Sequence, residues 1–233
     1  MPPKGMLQEE VIHNDEGQVI ARCQTLDGKL EGEYLSYFGN GQVMARLIFQ
    51  NGLREGEAMS YYHDGQLREK GTFRNDKLVG EYVCYYENGQ VREQEYYNES
   101  GLLEGEYRLF YRNGQIKDQE FFKNGKFDGD YVSYYKDGQL REKGGFRNEK
   151  REGEYIAYFK NGRIKEQAHY RNGKLVGPFL CFDGKGNAVP LKNLSTEPPP
   201  EDEDRIQHRE QMVDNLLKGL ADFNPKERSD AKR

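Results

Sequence analysis

The sequence predicts an all-β protein: an elongated single antiparallel sheet of tandem β-hairpin repeats, each about 24 residues long, with a C-terminal amphipathic α-helix. Three observations predict it. Gly32, Gly56, Gly80, Gly105, Gly129, Gly153 and Gly177 follow one another at intervals of 24, 24, 25, 24, 24 and 24 residues, and five of them open Gly-Glu-Tyr or Gly-Asp-Tyr. Nine residues after each stands a second glycine, from Gly41 to Gly186; in six cases Asn or Asp precedes it and Gln or Arg follows. Finally, 17 Tyr and 12 Phe supply rings to a chain that is only 35% hydrophobic. Disordered chains are poor in aromatics, so this one has a core to build.

The elements follow in chain order. Gly17-Gln18-Val19 and Asp27-Gly28 fit the same frame, so a worn half-repeat precedes the first full one. Each unit then reads as two strands joined at Asn-Gly or Asp-Gly, where a type I′ turn needs two residues with positive φ. The first strand carries Tyr-x-x-Tyr-Tyr-type segments such as Tyr82–Tyr86, and the second runs from an aliphatic to an aromatic residue, as from Val91 to Tyr97. A second turn falls near Asn51-Gly52, Asn75-Asp76, Asn124-Gly125, Asn148-Glu149 and Asn172-Gly173. The single interval of 25 coincides with an extra residue around Asn98-Glu99-Ser100-Gly101. About 13 or 14 strands result, and at ~4.8 Å each the sheet would be on the order of 65 Å long.

A two-residue turn at Asn88-Gly89 would set Tyr86 opposite Val91 and Tyr85 opposite Arg92. One face then repeats as Phe38/Val43, Tyr62/Leu67, Tyr86/Val91, Tyr111/Ile116, Tyr135/Leu140 and Phe159/Ile164, a hydrophobic ladder that also holds Tyr82 and Cys84. The acidic row Glu69, Glu93, Asp118, Glu142 and Glu166 shares that side. The opposite face repeats as Tyr61/Arg68, Tyr85/Arg92, Phe110/Lys117, Tyr134/Arg141 and Tyr158/Lys165. Rings beneath cationic stems form cation–π contacts, and Tyr and Arg are enriched at binding hot spots. This Tyr-and-basic face is therefore the candidate partner-binding surface.

The repeat sheet occupies residues 8–190. Residues 195–204, Ser-Thr-Glu-Pro-Pro-Pro-Glu-Asp-Glu-Asp, read as a stiff acidic linker. Over residues 205–223 a helical period places Ile206, Val213, Leu216, Leu217, Leu220 and Phe223 on one stripe, which either contacts a partner or caps the open sheet. A polar tail, 224–233, follows.

Composition and motifs narrow the function. A net charge of −5 argues against a nucleic-acid partner. No stretch approaches the ~18 apolar residues of a spanning helix, and the absence of a secretory signal makes the cytoplasm the expected compartment. Three widely separated cysteines make no disulfide framework. The four histidines lack metal-ligand spacing, and each Gly-Lys pair lacks the Ser or Thr of a phosphate loop. Ser36, Ser60, Ser133, Ala157, Cys84 and Cys181 share one repeat position, a small-residue slot instead of a set of nucleophiles. The acidic row recurs in every unit, whereas an active site is a singular departure from a pattern. No enzyme, metal or cofactor is expected.

Units such as Gly80–Glu93 and the closing Asn172–Gly177 resemble MORN-variant repeats, and residues 8–190 as a whole resemble the bacterial YwqK-family antitoxins. The resemblance implies an elongated antiparallel sheet and neutralisation of a toxin or effector by direct, immunity-like binding. The Trp of the older, lipid-associated MORN repeat is missing here. The expected function is thus a non-catalytic protein-binding scaffold. The alternatives are a membrane-associated scaffold or a structural surface protein. A homodimer through the sheet edge or the tail helix is compatible with either.

Overall fold

The computed structural model describes residues 5–189; the linker, the amphipathic segment from Ile206 to Phe223 and the polar tail lie outside the described residues. Those described form one open antiparallel sheet in which each strand pairs with its neighbours in sequence. Four two-residue segments, Leu53–Arg54, Lys126–Phe127, Lys150–Arg151 and Lys174–Leu175, are the beginnings of the strands that follow them. The expected N-terminal half-repeat is a complete hairpin, Leu7–His13 paired with Val19–Leu26. No helix long and apolar enough to cross a membrane occurs among the described residues.

Two kinds of turn alternate, and only one is the predicted kind. At Asp27-Gly28, Asn51-Gly52, Asn75-Asp76, Asn124-Gly125, Asn148-Glu149 and Asn172-Gly173 both residues have positive φ, which defines a two-residue type I′ turn. At Asn88-Gly89 only the glycine does, with φ 78°. There the Gly89 N–H donates to the Tyr86 carbonyl and the Tyr86 N–H to the Gln90 carbonyl (2.9 and 2.8 Å). The loop is therefore three residues, a type I turn closed by a left-handed glycine. The Asn88 Oδ1 accepts the Gln90 N–H at 3.2 Å, which accounts for the recurrent Asn/Asp-Gly-Gln/Arg motif.

The extra loop residue overturns the predicted register. Val91 faces Tyr85, not Tyr86, and the next pair is Cys84 with Glu93, leaving Arg92 as an unpaired bulge. The same shift recurs at Tyr37/Val43, Tyr61/Leu67, Phe110/Ile116, Tyr134/Leu140 and Tyr158/Ile164. A bulge breaks strict alternation and re-aims one side chain. The bulged residues Arg68, Arg92, Lys117, Arg141 and Lys165 consequently turn towards the acidic residue that follows each of them.

The core lies on the inner face. Tyr34, Tyr82, Tyr107, Tyr131 and Tyr155 are buried and pack against the ring fifteen positions later: Phe49, Tyr97, Phe122, Phe146 and Tyr170, with centroids 5.4 to 6.5 Å apart. Edge-to-face and tilted pairs at this range are favourable beyond their area burial. Small residues make room beneath the rings. A Cβ at Gly144 would stand 2.7 Å from the Tyr131 ring, and one at Gly71 2.9 Å from Tyr82.

Successive repeats are stapled by hydrogen bonds at the same positions. The hydroxyls of Tyr62, Tyr86, Tyr111 and Tyr135 donate to the carbonyls of Tyr85, Phe110, Tyr134 and Tyr158 in the next unit, at 2.6 to 2.7 Å. At the two ends the equivalent residues are Phe38 and Phe159, which have no hydroxyl; Phe38 stacks on His63 instead (3.9 Å). Carboxylates of Glu31, Glu55, Glu104, Asp128 and Glu152 accept the backbone N–H of Asn51, Asn75, Asn124, Asn148 and Asn172. In the one repeat where Val79 replaces that acid, the following turn carries the extra residue and caps itself: Asn98 Oδ1 accepts the N–H groups of Ser100 and Leu102.

Candidate functional site: two faces of one sheet

The bulge divides the predicted Tyr-and-basic surface between opposite faces. Arg68 Nε donates to Ser60 Oγ (3.2 Å), an inner-face side chain, whereas Tyr61 Oη lies 3.3 Å from Met59 Sδ on the outer face. The basic row stands beside the acidic row instead: Arg68–Glu69 at 2.9 Å, Arg92–Glu93 at 3.9 Å, Lys117–Asp118 at 3.6 Å, Arg141–Glu142 at 3.3 Å and Lys165–Glu166 at 3.0 Å. The five pairings of ring with cation, from Tyr61/Arg68 to Tyr158/Lys165, do not form. The second ring of each pair of aromatics, Tyr62, Tyr86, Tyr111 or Tyr135, is taken up by the staple between repeats.

On the inner face Glu93, Asp118 and Glu142 of the acidic row are buried, and Glu69 and Glu166 are half-buried. Tyr107 Oη donates to Glu93 Oε1 (2.6 Å), Tyr97 Oη to Glu95 Oε2 (2.5 Å), and Ser133 Oγ to Asp118 Oδ1. Tyr155 Oη lies 3.4 and 3.3 Å from Glu142 and Glu166. Burial pushes the phenols of Tyr82, Tyr107 and Tyr155 well above the ordinary range, so they stay protonated as donors. Cys84, whose Sγ lies 2.9 Å from Tyr82 Oη, is pushed up to about 12, chiefly by burial and then by Glu93 and Glu69. That is the behaviour of a structural thiol, as a small-residue slot requires. No group of three or more His, Cys, Asp or Glu among the described residues is arranged to hold a metal.

The outer face carries two parallel rows. The first consists of the ring–aliphatic pairs Tyr37/Val43, Tyr61/Leu67, Tyr85/Val91, Phe110/Ile116, Tyr134/Leu140 and Tyr158/Ile164, all half-buried. The predicted two-residue turn would put these aliphatic residues on the other side. The signal that locates them is the count of residues between the second ring and Gln, which is three and not two. The second row crosses the sheet without interruption from Arg22 through Leu35, Arg46, Met59, Lys70, Val83, Gln94, Arg108, Gln119, Val132, Lys143 and Ile156 to Gln167. Its long polar stems flank apolar residues, and Val83 and Ile156 are buried between them. Arg46 pairs with Glu33 (2.6 Å) and Arg108 with Glu106. Among the described residues Arg22, Lys70 and Lys143 make no ion pair.

The repeat so defined is that of a known family. The chain belongs to the MORN repeat variant family, which matches it six times in tandem, at residues 30–51, 54–75, 78–99, 103–124, 127–148 and 151–172. Each match spans one three-residue loop and ends at a second turn, so the family's unit is the hairpin described above. No curated protein matches the chain. Among solved structures, the GtfA/B complex bound to UDP and GlcNAc is 14% identical over 60% of this chain and 24% of that one (TM-score 0.21). TcdB2-TccC3-Cdc42 is 11% identical over 79% and 14% (TM-score 0.22). A Bacteroides fragilis protein of unknown function is 6% identical over 72% and 95% (TM-score 0.12). The chain thus spans about a quarter and a seventh of the first two, and TM-scores this low bear on neither fold nor function.

Proposed function

We propose that the sheet is a non-catalytic scaffold that binds a partner protein through its outer face, in the manner of an antitoxin that neutralises or tethers its target. The observation that carries this reading is the first outer row. Six ring–aliphatic pairs stand half-exposed in register. The staples that reach Tyr85, Tyr134 and Tyr158 take only their backbone carbonyls, so the side chains of Tyr37, Tyr85, Tyr134 and Tyr158 enter no staple or ion pair among the described residues. Rings are rigid and give contact area at low entropic cost, which is why they dominate binding hot spots. The inner face is a poorer candidate: its rings are buried or held in the staples, and its basic row is paired with carboxylates. The toxin-directed part of the proposal rests on the sequence resemblance to YwqK-family antitoxins alone.

The test begins by identifying a stoichiometric partner captured from the native host and purifying it. Its affinity is then measured for the unaltered chain and for a Tyr61→Ala/Tyr85→Ala/Tyr134→Ala variant. A loss of at least tenfold with unchanged thermal unfolding supports the outer face. Unchanged affinity rejects it. Growth arrest when the partner is expressed alone, relieved by co-expression, supports the antitoxin-like role; a harmless partner rejects that role and leaves the scaffold.

A further inference from the structure

Resting on that reading, we infer that the outer face recognises an acidic, proline-rich segment of its partner, extended as a polyproline II helix along the sheet and across its strands. Three features carry the inference. The first is spacing. Two strands make one repeat, so the rings of the first row recur at about 9.6 Å, twice the interstrand distance. A polyproline II helix has three residues per turn and rises 3.1 Å per residue, so equivalent side chains recur at about 9.3 Å. A β-strand presents the same face every ~6.7 Å. An α-helix does so every seven residues, about 10.5 Å, and slips by nearly 1 Å at each repeat.

The second feature is the chemistry of the row. Each ring stands beside an aliphatic side chain, Tyr85 by Val91 and Tyr134 by Leu140, and aromatic-lined grooves of this kind dock polyproline segments. A polyproline II backbone makes no internal hydrogen bonds, so its carbonyls need donors from outside. The hydroxyls of Tyr37, Tyr85, Tyr134 and Tyr158 make no hydrogen bond to any described residue.

The third is charge. The row next to the rings contains Arg22, Arg46, Lys70, Arg108 and Lys143 and no acid; the nearest acids of that face, such as Glu81 and Asp130, sit two residues further along each strand. Arg46 and Arg108 are already paired with Glu33 and Glu106. A segment lying between the two rows meets the cations Arg22, Lys70 and Lys143, unpaired among the described residues, and an acidic one complements them.

The experiment titrates the full chain with four fluorescently labelled probes: (Glu-Pro-Pro)5, (Lys-Pro-Pro)5, (Glu-Gly-Ser)5 and phosphatidylserine vesicles. The expected result is that (Glu-Pro-Pro)5 binds at least tenfold more tightly than the other two peptides, and that shortening it weakens binding in steps of one triplet. Tyr85→Ala/Tyr134→Ala should weaken it at least tenfold, Tyr85→Phe/Tyr134→Phe less. Lys70→Glu/Lys143→Glu should reverse the preference towards (Lys-Pro-Pro)5. Thermal unfolding of each variant shows that it is folded. Equal binding of (Glu-Gly-Ser)5, binding of vesicles alone, or no binding of (Glu-Pro-Pro)5 would overturn the inference. If the captured partner still depends on Tyr85 and Tyr134 while (Glu-Pro-Pro)5 does not bind, the scaffold reading stands and the polyproline inference falls.

Discussion

Glu149 and Asp76 occupy the second position of type I′ turns with φ of 65°, where four of the other turns have glycine. Left-handed backbone costs a non-glycine residue about 1–2 kcal/mol, and Glu149 gains only an exposed ion pair with Lys126 at 3.8 Å. Glu149→Gly is therefore expected to raise stability by about 1 kcal/mol, read as an upward shift of the urea midpoint. The opposite sign is expected where a hydroxyl serves a buried acid. Glu93 is 2% exposed and accepts from Tyr107; Tyr107→Phe leaves it short of a donor and should cost about 2 kcal/mol in the same measurement. The cysteines give a chemical check. With its thiol pushed up to about 12 and buried, Cys84 should resist iodoacetamide at pH 8 until urea unfolds the sheet, whereas the half-buried Cys181 reacts first in the folded protein. Equal labelling of both in the native state would contradict the burial of the small-residue slot.

At the scale of the element, the three-residue loop and the bulge that follows it act as a pair. The loop adds a residue on the turn side and the bulge absorbs one on the second strand, so Glu93, Glu95 and Tyr97 still reach the inner face. Inserting one alanine between Arg92 and Glu93 exceeds what the bulge absorbs and slips the strand by one, sending Glu93 outward and Gln94 inward. The expected outcome is loss of the cooperative transition or a fall of more than about 3 kcal/mol. Arg92→Ala keeps the bulge and gives up one long ion pair, for which a cost of at most about 1 kcal/mol is expected. An insertion no worse than the alanine variant would show that the single extra residue of the bulge does not set the faces. The register predicted from alternation is one residue out for a physical reason. Asn-Gly closes both kinds of turn, and alternation alone cannot distinguish a two-residue loop from a three-residue loop plus a bulge. What tells them apart is the Gln or Arg after Gly89-type glycines, whose N–H the preceding Asn or Asp accepts.

For the whole molecule, the period made the fold legible: seven spaced glycines, recurrent Tyr at the inner face and alternating turns all agree on one sheet. The inner acidic row was legible as a row, and its burial was not, because nothing in a list of residues shows that Tyr107 and Tyr155 reach it from a neighbouring strand. The candidate site was half legible. The rings Tyr61, Tyr85, Phe110, Tyr134 and Tyr158 do line one face, whereas Arg68, Arg92, Lys117, Arg141 and Lys165 turn to the other and pair with carboxylates. In a linear array each unit contacts only its neighbours, so stability is a sum of unit and interface contributions. Partner recognition should likewise be spread along the outer row.

The most direct test compares two triple variants against the purified partner, Tyr61→Ala/Tyr85→Ala/Tyr134→Ala on the outer face and Arg68→Glu/Arg92→Glu/Arg141→Glu on the inner. An outer-face site predicts at least a tenfold loss of affinity for the first and, provided its unfolding curve shows it folded, near-unchanged affinity for the second. Loss with the arginine variant and retention with the tyrosine variant would contradict it and return the site to the inner basic row.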